Sequence, residues 1–295
     1  MFDKIVFATD LSKSSDEVIT SLGGLRQLGA KQAILVYALG IKALALNHLK
    51  DFTPILVELA EPGLSEQKFA LEQQGFLTTV RIGTGVPMLE VNQIAEEEQA
   101  SLIVVGSHGA SSIREVLLGG TALAILHHAH LPVLLVRLTI SERASAPHRV
   151  TAFPDFFRRV LYATDFSETA ERALLYVEKI VESGARNITL LHVQEKNDLS
   201  KYLEQRLEEF TQINRERLER MRDRLLKLGA KDIQIEIPYG SPLQEIIRYT
   251  SQHEDSLIVM GSKGRGFLAK VFMGSVSHGV ALHADVPLLM IPPVS

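Results

Sequence analysis

Glycines, cations and hydroxyls crowd the fifteen residues from Gly261 to Ser275, GSKGRGFLAKVFMGS. Before them, Ser256-Leu-Ile-Val-Met-Gly261 is an apolar run with the character of a buried strand; after them, Val276–His283 has the character of a helix. A strand, a glycine-rich turn and a helix start bring backbone N–H groups together where a phosphate can accept from them. Gly261, Gly264 and Gly266 permit close backbone approach. Lys263, Arg265 and Lys270 supply positive charge, and Ser275 places a hydroxyl at the start of the next helix.

Two familiar phosphate motifs do not account for this stretch. The chain has no Gly-Lys-Ser or Gly-Lys-Thr, so it has no Walker-type loop. Gly264-x-Gly266-x-x-Ala269 fits a loose dinucleotide fingerprint, but that fingerprint belongs after the first strand of a βαβ unit. Here it follows a late strand, and no acidic residue closes the next one, Pro287–Ile291.

The elements that must position this loop occur twice. Ala8-Thr9-Asp10-Leu11-Ser12 returns as Ala163-Thr164-Asp165-Phe166-Ser167, a shift of 155 residues (10 to 165). The same shift carries Gly29-Ala30 onto Gly184-Ala185, Gly85-x-Pro87 onto Gly240-x-Pro242, and Gly106-Ser107-x-Gly109 onto Gly261-Ser262-x-Gly264. It also carries His128-Ala129-x-x-Pro132 onto His283-Ala284-x-x-Pro287. A repeat this long is a whole domain rather than a solenoid unit. The expected domains are 1–138 and 158–295, with 139–157 (Ser141, Ser145, Pro147 and Pro154 among its residues) as a linker.

Within the second copy, strands are expected at Arg159–Thr164, Asn187–Gln194, Asp232–Pro238, Ser256–Gly261 and Pro287–Ile291. Helices are expected at Thr169–Ser183, Leu199–Leu228 and Leu243–Gln252, and after Gly274. Leu203, Leu207, Phe210, Leu218, Met221 and Leu225 mark the apolar stripe of the long helix. Alternating strands and helices with right-handed crossovers predict an α/β fold: two tandem, doubly wound, five-stranded parallel sheets. The first copy's counterpart of the long helix differs, because Ile41–Leu59 is strongly apolar and contains Pro54, which is expected to kink or end it.

Gly261-x-x-Gly264, nine residues, then Gly274-Ser275 resembles the ATP-binding motif of the universal stress protein family, and the resemblance extends over nearly all of both copies. It implies a Rossmann-like sheet of order 3-2-1-4-5, which sets strands one and four side by side at the switch point. It also implies an adenine nucleotide, ATP or AMP, with magnesium bridging its phosphates. By the same resemblance, Gly261, Gly264, Gly274 and Ser275 hold phosphates, and Lys263, Arg265, Val276 and Ser277 belong to the same nucleotide site. Ala163, Thr164 and Asp165 lie at the adenosine end, where the Val193 backbone meets adenine. A weaker second site would comprise Asp10, Gly106, Gly109 and Gly119. In relatives the last strands of two domains pair, so Leu131–Val136 and Val286–Ile291 are expected to form an intramolecular pseudo-dimer. Further homodimerisation is expected through Ile41–Leu59.

Simpler readings stand beside these. Asp10 and Asp165 would favour a helix N-terminus through the macrodipole alone, and the glycines could be turn and cap residues. The phosphate loop facing Asp165 favours the ligand role there; for Asp10 both readings stand. His127, His128 and His130 project in different directions from adjacent helix positions, which disfavours one shared metal.

The copies are not equivalent. In the first, Gly120 stands for Ser275, His108 for Lys263, Ala110 for Arg265 and Glu115 for Lys270. Loop charge falls from three positive to about neutral, and each charge-assisted hydrogen bond to phosphate that goes with it is worth about 1.5–3 kcal/mol before solvent screening. Nucleotide is therefore expected mainly in the second copy.

The 295 residues, 46% hydrophobic, suffice for two cores. A formal charge of −4 with mixed signs disfavours nucleic acid as the main partner, and the absence of cysteine excludes disulfides. With no secretory signal and no apolar stretch of membrane-spanning length in the sequence, the expectation is a soluble, cytoplasmic, nucleotide-binding stress-response regulator with an unidentified protein partner. The alternatives are a weak ATPase or phosphotransferase, for which no convincing base is visible, and a nucleotide-independent interaction scaffold.

Overall fold

The computed structural model describes residues 2–40, 53–107, 118–141, 149–152, 156–195, 204–253, 256–264 and 273–294. It divides into two compact units, Met1–Pro154 and Asp155–Ser295.

The first unit has strands β1 (Lys4–Thr9), β2 (Gln32–Ala38), β3 (Leu77–Gly83), β4 (Leu102–Gly106) and β5 (Val133–Val136). All pair in parallel, in the order β3-β2-β1-β4-β5. The helices are α1 (Lys13–Ser21), continued by a 3₁₀ segment Leu22–Leu28, then α2 (Thr53–Gln73), α3 (Pro87–Glu97) and α4 (Gly120–His128). An antiparallel ribbon of β6 (Leu138–Ser141) and β7 (Arg149–Ala152) lies against α1.

The second unit repeats the plan with β8 (Val160–Ala163), β9 (Asn187–Leu191), β10 (Asp232–Glu236), β11 (Leu257–Gly261) and β12 (Leu288–Ile291). Its order, β10-β9-β8-β11-β12, is again fully parallel. Its helices are α5 (Glu168–Glu182), α6 (Glu204–Lys227), α7 (Pro242–Gln252) and α8 (Ser275–His283). The expected doubly wound order 3-2-1-4-5 is therefore the order observed.

Local sequence explains these elements. The central strands are apolar throughout because helices cover both faces: Ile5, Val6, Phe7, Val104, Leu161, Tyr162, Ile258 and Val259 are fully buried. Ser12 and Ser167 cap α1 and α5 by accepting from the N–H groups of Ser15 and Ala170, each at 3.3 Å. Pro87 and Pro242 open α3 and α7, at a position that needs no N–H. The tight packing leaves few choices for larger groups. Tyr162 is buried with its hydroxyl donating to Ala170 O at 2.7 Å, and burial raises its pKa above the ordinary tyrosine range.

Helix α2 is described from Thr53, beside Pro54, and runs through Pro62 to Gln73; whether Pro54 kinks or ends a helix over Ile41–Leu59 turns on residues outside the described ones. Buried Ala60, Leu64 and Leu71 hold the helix against its unit, and packing outweighs the lost N–H. The remainder of the apolar Ile41–Leu59 segment, residues 41–52, lies outside the described residues. On α6, Leu218, Met221 and Leu225 are buried as the periodicity predicts, but Phe210 is half exposed. Among the described residues, no helix is long and apolar enough to cross a membrane.

Candidate functional site

The site of the second unit begins where β8 ends. Ala163 is the last strand residue, and Thr164 continues with its N–H donating to Leu191 O at 2.9 Å. Phe166 then adopts a left-handed conformation, φ 59°, which costs a non-glycine residue about 1–2 kcal/mol. Two short side chains support it: Thr164 Oγ1 accepts from Phe166 N and Asp165 Oδ1 from Ser167 N, both at 3.0 Å. The Phe166 ring packs 4.4 Å from the His192 ring, while the Arg217 guanidinium of α6 covers it at 4.8 Å. The turn leaves Asp165 at the carboxyl edge of the sheet, with its Oδ2 directed to the β11 loop.

That loop is tied down by its carbonyls. Gly261 O accepts from the Ser277 hydroxyl at 3.0 Å, and Ser262 O from Gly274 N at 2.7 Å. Lys263 O accepts from Ser167 Oγ at 3.3 Å and from the Thr169 hydroxyl. In a trans peptide the N–H points opposite to the C=O. Fixing Ser262 O and Lys263 O therefore turns the N–H groups of Lys263 and Gly264 away from their anchors. The bond from Gly274 to Ser262 sets the start of α8 beside them. There, Gly274 caps with no side chain, so the first-turn N–H groups of Ser275, Val276 and Ser277 have no partner within the helix. Backbone N–H groups of this kind are suited to bind an anion.

The register brings the two parts together. Met260 of β11 pairs with Ala163 of β8, so Asp165 and the Lys263–Gly264 turn emerge side by side. A Cβ on Gly264 would sit 2.7 Å from Asp165 Oδ2. Gly264 thus gives the carboxylate its place against the loop. Gly261 serves a different contact: a Cβ there would lie 2.7 Å from Thr169 Oγ1 and 2.8 Å from the Thr169 carbonyl carbon, so its bareness lets α5 approach β11. Lys263 and Val276 are half-buried and Ser275 is exposed, whereas the Ser277 hydroxyl is buried in its bond to Gly261 O. Arg265, Lys270 and Gly109 lie outside the described residues.

Val193 follows β9. His192 N–H donates to Glu236 O at 3.0 Å and Gln194 N–H to Pro238 O at 2.9 Å, both toward β10. Because alternate residues of a strand address opposite neighbours, the Val193 N–H and C=O face the β8 side, beside Thr164 and Asp165. Thr164, Asp165, Val193, Lys263 and Gly264 thus lie at the same carboxyl edge of the sheet, with the start of α8 tied to it through Gly274.

Sequence reasoning missed Ser167, Thr169, His192 and Arg217. The Ser167-x-Thr169 spacing was a readable sign of two hydroxyls at one helix start; the roles of His192 and Arg217 depend on tertiary contacts.

The first unit keeps the same platform. Leu11 is left-handed at φ 59°, Thr9 Oγ1 accepts from Leu11 N at 3.0 Å, and Asp10 Oδ1 accepts from Ser12 N at 3.1 Å. Gly119 N–H donates to Ser107 O at 2.9 Å and caps α4 with no side chain. Its surroundings differ. Ser15 donates to Asp10 Oδ1 at 2.8 Å, and Thr9 donates to the buried Gln67, which in turn donates to Asp16, both at 2.7 Å. Buried Ala122 stands where Ser277 ties the second loop, and Gly106, at the end of β4, therefore has no such hydroxyl beneath it.

A family model described as "Universal stress protein family" matches residues 1–137 and again 156–292. The chain belongs to the universal stress protein family. It is 30% identical over 154 residues to Universal stress protein MJ0577 of Methanocaldococcus jannaschii, covering 46% of this chain and 94% of that protein. It is also similar to Universal stress protein Rv2623 of Mycobacterium tuberculosis, at 28% identity over 214 residues, 70% of this chain and 66% of that one. The crystal structure of a universal stress protein from Archaeoglobus fulgidus shares the fold, with a TM-score of 0.68 and 24% identity, covering 98% of this chain and 96% of that chain.

Proposed function

We propose that this universal stress protein is a regulatory module that binds an adenine nucleotide, ATP or AMP, through its second unit. The observation that carries the reading is the contact of Asp165 with the bare Gly264, 2.7 Å from Oδ2 to the position of a Cβ. It joins an acidic group at the end of strand one to a turn whose N–H groups are freed for an anion. Asp165 suits a ribose or adenine donor. The seat formed by Lys263, Gly264 and the first turn of α8 suits phosphates, and Lys263 adds a cation. The Val193 peptide groups offer a donor and an acceptor to the edge of a base. Magnesium would arrive with the phosphates and neutralise part of their charge. The donor set provides binding and orientation, which suits a sensor.

Calorimetric titration of the full chain with ATP–magnesium, AMP and cyclic AMP tests this. Saturable binding of ATP or AMP, lost in Gly264→Val, is the expected result. That variant displaces the end of one side chain rather than backbone, so the fold should remain. Absence of binding by the unaltered chain would overturn the reading, and hydrolysis over many turnovers would move it to an enzyme.

A further inference from the structure

The two units differ in how the ladder between strands one and two ends. In the first, the β1–β2 register runs to Thr9↔Tyr37. A parallel pair at that position is closed by Ala38 N–H donating to Thr9 O. In the second, the β8–β9 register stops one pair earlier, at Ala163↔Leu191. Thr164 N–H still donates to Leu191 O at 2.9 Å, so the strands remain in step. The bond that would come next, Val193 N–H to Thr164 O, is missing. Thr164 O instead accepts from His192 Nδ1–H at 2.8 Å. Tyr37 occupies the place of His192 in the first unit and has no donor at that reach.

A buried carbonyl is costly without a donor, so an intact sheet would normally take the Val193 N–H for this purpose. The imidazole does that work from the side. It is held there by burial, with 6% of His192 exposed, and by the Phe166 ring at 4.4 Å, which Arg217 covers from outside. The Val193 N–H is left facing the β8 edge with no acceptor among the described residues. It lies next to Asp165, in the crevice assigned above to a nucleotide.

We propose that His192 is a positioning residue for base recognition: it satisfies Thr164 O in place of Val193 N–H and so reserves that N–H for an acceptor on the ligand's base. This deepens the nucleotide reading and rests on it. A heterocycle presenting an acceptor beside a donor, as the adenine edge does with its ring nitrogen and amino group, matches the Val193 N–H and C=O. The first unit, with its ladder closed, has no such open peptide.

The test compares the full chain with His192→Tyr, which copies the first unit, and His192→Asn, whose amide N–H can reach where Nδ1–H does. ATP and inorganic tripolyphosphate are titrated into each. The expected result is about a tenfold loss of ATP affinity in His192→Tyr, the worth of one hydrogen bond. Tripolyphosphate binding should be unchanged, and His192→Asn should restore most of the ATP affinity. In the unaltered protein, ¹⁵N NMR should show the Val193 amide shifting on adding adenosine, a reading independent of whether either variant folds. Equal ATP affinity in all three proteins, or a Val193 amide indifferent to adenosine while ATP binds, overturns this inference and leaves the nucleotide reading standing. Failure of the unaltered chain to bind either ligand overturns both.

Discussion

The carboxyl edges of the two sheets are built on one plan and finished differently. Both units hold a left-handed residue after the strand-one aspartate, Leu11 or Phe166, both at φ 59°. Both tie the start of the fourth-strand loop to a bare glycine cap, through Gly119 to Ser107 O and Gly274 to Ser262 O. The backbone platform is therefore the invariant part of the duplication. What changes is who occupies its hydrogen-bonding capacity. In the first unit Ser15 takes Asp10, Gln67 takes Thr9, and the β1–β2 ladder closes at Tyr37. In the second, Ala170 stands where Ser15 was, His192 opens the ladder, and Lys263 adds charge. On the reading proposed above, the duplication changes ligand binding by altering these hydrogen bonds while the fold stays the same.

The largest effect separating scaffold from ligand contact should come from Gly261→Val. Its side chain would meet the backbone of α5 at under 3 Å, and overpacking of this kind costs about 3 kcal/mol or more. Urea unfolding should show the loss with no nucleotide present. An unchanged midpoint would mean that Gly261 is bare for the ligand and not for the helix.

Arg224→Ala probes a contact that only the second unit has. Arg224 Nη2 lies 2.7 Å from Glu178 Oε2, and burial raises the Glu178 pKa while Arg224 opposes that rise. The first unit places Gly23 and the exposed Phe69 at these positions. Leaving the carboxylate without its cation should cost about 2 kcal/mol. The sign with pH follows: the raised folded pKa lets the native state hold a proton that the unfolded chain has lost, so stability falls as pH rises from the ordinary glutamate range through the folded pKa. The variant should show that fall more strongly in a denaturant series from about pH 4 to 7. The same slope with and without Arg224 would contradict the pairing.

Thr169→Val is the subtler case. It removes one hydroxyl from Lys263 O while keeping the shape, and Ser167 remains at 3.3 Å. About 1 kcal/mol of phosphate-dependent affinity should go, some fivefold in Kd, with adenosine binding unaffected. Equal losses for ATP and adenosine would show that the clamp supports the whole crevice rather than aiming the loop.

How much of this could be read beforehand follows from what each residue answers to. The repeat, the alternation of strands and helices and the Gly261-x-x-Gly264 loop were legible because apolar runs and glycine spacing are local consequences of buried strands and tight turns; the 3-2-1-4-5 order came only with the family resemblance. Gly261 and Gly264 looked alike in the sequence; only the tertiary neighbours, Thr169 for one and Asp165 for the other, distinguish them. His192 was invisible as a site residue for a similar reason. Its part depends on which of two donors reaches Thr164 O, a choice made by packing on Phe166 and not by residue type.

Native mass spectrometry of the full chain with ATP–magnesium tests the central claim, that one edge is open and its twin is closed. One nucleotide per chain is expected across the titration, abolished by Gly264→Val and retained by Gly119→Ala, whose Cβ would meet only Ser107 O at an ordinary 3.7 Å. Two nucleotides bound with equal affinity, or a single one lost through Gly119→Ala and kept in Gly264→Val, would contradict it.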